Sequence, residues 1–280
     1  NTSDAKEIQG TIKIAVDSWI GYFPLGSSEM KQAMRAAGWL IECEDDQADY
    51  PGRMKRLAEG EIQFAVATVD SYLLNAAAVD FPGVIVVVID ESKGGDAILA
   101  RKDKVANLNA LKGKKDIKVA FTPASPSHHL LKAASDHFDV PELLPSSERR
   151  LETKGSEEAL KFLLSGKTDV AVCWEPDVSR ALANPNVVKL LGSEDTEKLI
   201  VDILIVNREF SDKNPEVVQL FLHTYFKVMK IYRDQPESLK KEIVTATKLS
   251  PEAVEAMLRG VAWVNLTDNC QRWFGIAPVG

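Results

Sequence analysis

The sequence predicts an α/β protein of two lobes, each a mainly parallel sheet flanked by helices, with a ligand cleft between them. Three observations carry this. Short apolar strands alternate with amphipathic helices along most of the chain, the pattern of sheets covered by helices on both faces. The chain also repeats itself. Ile12-Lys13-Ile14-Ala15-Val16 recurs 105 residues later as Ile117-Lys118-Val119-Ala120-Phe121. Leu57-Ala58-Glu59-Gly60 before Phe64-Ala65-Val66-Ala67 recurs, at an offset of 106, as Leu163-Leu164-Ser165-Gly166 before Val170-Ala171-Val172-Cys173. Finally, the order of elements takes the chain between the two units twice, which makes a hinge.

Each element has its own signal. In the first unit a strand over 12–16 leads to a helix over 26–37, punctuated by Gly38. A strand over 39–43 follows, then a short helix over 53–59 ended by Gly60, a strand over 63–67 and a helix over 70–78. The second unit reads as strand 117–121, helix 127–138, strand 148–153, helix 156–164 stopped at Gly166, strand 169–173 and helix 176–183. Residues 84–89 and 96–101 form two strands around the turn Lys93-Gly94-Gly95, and a strand over 199–206 carries the chain back to the first lobe. Helices over 214–233, 236–246 and 251–259 complete it, with Pro215, Pro236 and Pro251 near their starts, where proline is tolerated. The expected division is residues 1–101 plus 204–280 for lobe 1 and 102–203 for lobe 2.

Composition excludes several functions. With 34 basic and 41 acidic residues the formal charge is −7, which argues against nucleic acid as a partner, since a phosphate backbone calls for a basic surface. A chain of 280 residues buries a large core without disulfide staples. Its three cysteines fit no zinc or CxxC spacing, and Cys43 and Cys173 read as small apolar filler in strands. No apolar stretch approaches the ~20 residues that span a bilayer. The polar segment 1–9 has no signal-peptide core, so the expectation is a leader removed on maturation. There is no GxSxG, GxGxxG or GxxxxGK[ST]. His128 and His129 point about 100° apart on a helix and have no HExxH context, so neither metal nor cofactor is expected. The reading is binding without catalysis.

In open α/β sheets ligands sit beyond the carboxyl ends of the strands. Four such turns form two matching pairs. One pair is Asp17-Ser18-Trp19-Ile20-Gly21-Tyr22 with Thr122-Pro123-Ala124-Ser125-Pro126-Ser127-His128-His129. The other is Thr68-Val69-Asp70-Ser71 with Trp174-Glu175-Pro176-Asp177. Thr68, Asp70, Ser125 and Ser127 are also good helix caps, which need no ligand. Trp19 and Tyr22 are compatible with a core position as well. Trp174, between a strand and a proline, is expected at the cleft edge, where an indole gives a flat wall and a face for a cation. One of His128 and His129 is expected to approach the ligand.

On these residues the chain resembles the nitrate/sulfonate/taurine-type periplasmic substrate-binding proteins of ABC importers, which in turn resemble thiamine-pyrimidine-precursor binders. The resemblance runs from Asp17-Ser18-Trp19-Ile20-Gly21-Tyr22 through Asp90-Glu91-Ser92-Lys93-Gly94-Gly95-Asp96-Ala97-Ile98 to Val172-Cys173-Trp174-Glu175-Pro176, and ends at Asn269 to Trp273-Phe274-Gly275. It implies a type 2 periplasmic binding fold, a small polar solute at the lobe interface, and a monomer that delivers it to an ABC permease from the periplasm or the outer face of the cytoplasmic membrane. It points to Trp19, Tyr22, Thr68, Asp70, Ser127, Trp174 and Glu175 as ligand contacts, with Asp90, Glu91 and Asp202 beside the hinge strands. Asp17, Ser18 and His128 join them from the turns. A related enzyme branch makes a thiamine pyrimidine with a cysteine-rich motif that this chain lacks; that branch and a sensor domain are the alternatives. The excess of acids over bases in these turns favours an amine- or amidinium-bearing ligand over a sulfonate.

Overall fold

The computed structural model describes residues 6–280 and contains two mixed sheets. The first lobe opens with β1 (Gly10–Val16), α1 (Ser28–Ala36), β2 (Trp39–Asp45), α2 (Tyr50–Ala58), β3 (Phe64–Thr68), α3 (Val69–Ala76) and β4 (Gly83–Ser92). The second comprises β5 (Asp96–Arg101), β6 (Val119–Phe121), α4 (Pro126–Phe138), β7 (Arg150–Glu152), α5 (Gly155–Leu164), β8 (Val170–Trp174), α6 (Asp177–Leu182) and β9 (Val187–Gly192). The chain returns through β10 (Val201–Asn207) and closes the first lobe with α7 (Arg208–Lys213), α8 (Pro215–Asp234), α9 (Pro236–Thr247), α10 (Pro251–Leu258), β11 (Val261–Trp263) and α11 (Leu266–Asp268).

The sheet orders are β11-β4-β10-β3-β1-β2 and β7-β6-β8-β5-β9. In the first, β1 runs parallel to β2 and β3, while β10 is antiparallel to β3 and β4. In the second, β6 runs parallel to β7 and β8, while β5 is antiparallel to β8 and β9. The antiparallel strands follow from the hinge. Parallel strands deliver the chain to the cleft, so a strand that starts at the cleft after a crossing must run away from it. Both β5 and β10 do so. The sequence placed 96–101 in lobe 1; the structure instead pairs β5 with β8 and β9, so the first crossing falls at the Lys93-Gly94-Gly95 turn. β9, α7 and β11 were not expected.

Burial follows the sequence pattern. Every residue of β3, β8 and β10 is buried. Along β5, β6 and β8 alternate residues enter opposite clusters: Ile98, Val119 and Val172 pack under α4, and Leu99, Ala120 and Cys173 under α5, as a strand of period 2 covered on both faces requires. In the first lobe α8 turns Val217, Phe221, Thr224, Val228 and Tyr232 inward at helical spacing. Its Phe221 stacks on Phe64 of β3 with ring centroids 4.3 Å apart. Cys43, Cys173 and Cys270 are free thiols, and burial holds the Cys43 thiol up at about 11.

Candidate ligand cleft

The turn after β1 is built around one buried cation. Asp17 Oδ1 accepts from the Trp19 amide at 2.9 Å, which folds the chain back over the strand end. Its Oδ2 accepts from Arg53 Nη2 at 3.1 Å. Arg53, on α2, is fully buried and spends its other donors on Asp46 (Nε at 2.7 Å) and the Val66 carbonyl (Nη1 at 2.9 Å). A buried guanidinium needs this saturation, because an unpaired buried charge is costly. The Tyr50 ring lies 4.7 Å from its central carbon.

Next comes a 3₁₀ turn over Ile20–Gly26, which aims two aromatic donors at the hinge. Trp19 Nε1 donates to Asp90 Oδ2 at 3.1 Å, and Tyr22 Oη donates to Asp202 Oδ1 at 2.5 Å. Asp90 and Asp202 sit opposite each other on β4 and β10. Asp90 Oδ1 and Asp202 Oδ2 are buried and meet no donor group of the protein. A proton held between the two carboxyls satisfies both. Burial, together with the neighbouring Asp90, accordingly raises Asp202 well above the carboxylate range, and burial lifts Asp90 to about 6. Burial also lifts Asp96, the first residue of β5, to about 7. Two glycines make the packing possible: a Cβ on Gly95 would strike the Trp19 ring, and one on Gly21 would strike Asp90 and Trp19 Nε1.

The second lobe meets this surface with Trp174, which packs into the first lobe's apolar cluster and donates Nε1 to Ser18 Oγ at 3.0 Å. Further bonds cross the cleft: Ile20 N to the Glu175 carbonyl at 3.0 Å, Asn75 Nδ2 to the Ala124 carbonyl at 3.1 Å, and Arg180 Nη2 to the Thr247 carbonyl at 3.2 Å. Between the lobes a small cavity remains. Asp17, Trp19, Tyr22, Tyr50 and Asp202 line it from the first lobe, and Asp96, Pro126 and Trp174 from the second. Its volume is about 10 Å³, the room of a single water, so the lobes are closed on it. A wider recess of about 400 Å³ adjoins it across Asp17 and Trp174, and Ser18, Lys154 and Glu158 stand at its walls.

No protein-family model and no curated protein matches the sequence. Solved structures do match. The periplasmic aliphatic sulphonate binding protein SsuA from Escherichia coli superposes with a TM-score of 0.68 at 20% identity, over 94% of this chain and 88% of that one. The alkanesulfonate-binding protein SsuA from Xanthomonas axonopodis pv. citri, bound to MOPS, gives 0.73 at 18% identity over 94% and 88%. The nitrate-binding protein NrtA from Synechocystis PCC 6803 gives 0.66 at 15% identity over 89% and 69%. The chain has the periplasmic-binding-protein fold.

Within that fold the expected site residues separate into two groups. Asp17, Trp19, Tyr22, Trp174 and Asp202 meet at the interlobe cavity, Ser18 stands at its mouth, and Asp90 backs it through Trp19. Trp174 is more buried than a cleft-edge position implies, at 3% exposure, because the lobes are closed over it. The others do not line the cavity. Thr68 forms a capping box with Ser71 at the start of α3. Glu175 caps α6 through the Ser179 amide and hydroxyl. Glu91 pairs with Lys93 at 3.2 Å and accepts from the Lys198 amide. His128 packs on Phe121 with centroids 4.9 Å apart, and burial lowers it to about 4. Asp70 and Ser127 keep a buried oxygen without a partner but lie outside the lining. Tyr50, Asp96, Pro126 and Arg53 were not foreseen. For Asp96 a signal existed: it precedes Asp202 by 106 residues, the repeat offset itself. Among the described residues no group of three or more His, Cys, Asp or Glu is placed to hold a metal ion, and no helix is long and apolar enough to cross a membrane.

Proposed function

We propose that this protein is the solute-binding component of an ABC importer: a clamp that closes on one small polar solute outside the cytoplasm and presents it to a membrane permease, without chemical change. The observation that carries the reading is the interlobe cavity. Both lobes contribute aromatic and acidic side chains to it, at the carboxyl ends of β1 and β8 and the beginnings of both hinge strands. Ligand sites of open α/β sheets occupy this position. The matching solved structures are named as binding proteins for sulfonates and nitrate, which supports binding over catalysis. A cavity of about 10 Å³ admits nothing beyond water, so uptake requires the lobes to part and close again. The residues proposed to touch the solute are Asp17, Trp19, Tyr22, Tyr50, Asp96, Trp174 and Asp202, with Ser18 at the entrance.

The test is a thermal-shift screen of amines, amidines, sulfonates and oxyanions, followed by small-angle scattering and tryptophan fluorescence with any hit. A true ligand raises the melting temperature by mass action, shrinks the radius of gyration and alters the emission of Trp19 and Trp174. An unchanged radius of gyration at proven saturation counts against the clamp.

A further inference from the structure

We infer that the solute carries a compact cationic head, an ammonium, amidinium or guanidinium group, that enters between Asp96 and Asp202 within the rings of Trp19, Tyr22, Tyr50 and Trp174. The inference rests on the clamp reading and adds the chemistry of its ligand.

Three features of the cavity point the same way. The two aspartates are equivalent by the internal repeat. Each stands at the beginning of a hinge strand, Asp202 opposite Thr68 on β3 and Asp96 opposite Trp174 on β8. A carboxylate is thus offered from either side of the interface. The walls around them are aromatic, and π-faces beside carboxylates favour a cation and disfavour an anion. The charge balance is also one-sided. The nearby guanidinium of Arg53 is already engaged by Asp17, Asp46 and the Val66 carbonyl, so it offers little to a sulfonate or nitrate. Asp202 Oδ2, buried on a residue that lines the cavity, has no protein donor. The proton that Asp90 and Asp202 share gives way to an N–H of the ligand.

Cation binding therefore exchanges against protons. Asp202 feels the charges of Asp90 and Asp96 and the hydroxyl of Tyr22; Asp96 feels Asp90, Asp17 and Asp70 and the hydroxyl of Ser92; Asp90 in turn feels Glu91 and acts on Tyr225. Arg53, held through Asp17 and Asp46, is the buried positive group beside these acids; Lys154 and Lys161 line the adjoining recess, and His129 acts on Asp70. A cation arriving among these acids favours their ionised forms, so protons leave as it binds and affinity rises with pH.

The experiment is calorimetry at pH 6 and pH 8, in buffers of different ionisation enthalpy, with methylguanidinium, ethylammonium and acetamidinium against nitrate and ethanesulfonate. The expected result is that at least one cation binds, at least ~10-fold tighter at pH 8, with net proton release. Asp202→Asn and Asp96→Asn are each expected to weaken it by at least ~10-fold; two variants are used so that one folding defect does not decide the matter. The inference is overturned if none of the three cations binds, if binding ignores both variants and pH, or if either anion binds more tightly than every cation. Scattering on the same samples separates the two readings. An anion that compacts the protein removes the cation but keeps the clamp; a cation bound without compaction keeps the cationic site but removes the clamp.

Discussion

At the scale of single residues the cleft is a place where charge is held at a cost. Asp96 shows it most directly, because burial lifts its carboxyl from the ordinary 3.8 to about 7. The sign of the consequence is fixed. Between about pH 4 and pH 7 the folded chain keeps a proton that the unfolded chain has released, so this group's contribution to stability falls as pH rises across that window. Asp96→Asn removes the ionisation. Thermal or urea unfolding followed against pH is expected to show the variant gaining stability over the wild type above pH 7, on the order of 2–4 kcal/mol, with the gain vanishing near pH 4. A gain independent of pH would mean that the Asp96 carboxyl ionises over the same pH range in the folded and the unfolded chain. Gly95, its neighbour, is a second sensitive point. A side chain there would occupy the space of the Trp19 indole, which in turn holds Asp90. Gly95→Ala is expected to redshift the tryptophan emission and weaken solute binding, while far-ultraviolet circular dichroism stays that of the wild type. Unchanged emission would show that the hinge turn relaxes instead.

At the scale of elements the sequence was most readable where one physical rule acts alone. Helices α4 and α8 combine an apolar stripe with proline in the first turn, and both lie where those signals put them. β3 and β8 are near-continuous apolar runs, and such runs form the buried interior of a covered sheet. The less readable elements depend on partners far along the chain. Val187-Val188-Lys189-Leu190-Leu191-Gly192 becomes β9 because β5 offers it an edge. β11 has three residues and exists through its pairing with β4. The site divides in the same way. Asp17, Trp19 and Trp174 follow from the rule about strand ends. Tyr50 opens a helix and carries no signature of its own, and Asp96 was in view while its strand was placed in the wrong sheet. Thr68 and Glu175 bond to the first turns of helices and do not line the cavity; a residue that caps a helix and one that touches a ligand look alike in sequence.

At the scale of the whole molecule the two lobes share one topology. The strands β2-β1-β3-β10-β4 of the first sheet correspond in order to β7-β6-β8-β5-β9 of the second. The closed arrangement rests on a few hydrogen bonds, each worth about 1 kcal/mol where both partners are neutral and somewhat more from the Arg180 guanidinium, and on the burial of one indole. Trp174 belongs to the first lobe's apolar cluster and to neither cluster of its own lobe. Trp174→Ala is therefore expected to release the lobes while leaving each folded: scattering without solute should give a larger radius of gyration, and solute affinity should fall more than ~10-fold. A variant that unfolds with its radius unchanged beforehand would make this ring a core residue only. The exchange of hinge strands also sets an order of assembly. The second sheet is drawn from one unbroken stretch, Asp96 to Gly192, whereas the first must wait for β10, which follows more than 100 residues after β4. Short-range closure costs less chain entropy and comes sooner. The lobe that begins later along the polypeptide should thus be finished earlier, and in pulse-labelled hydrogen exchange during refolding the amides of Ile98, Val119 and Val172 should gain protection before those of Ala65 and Ile203.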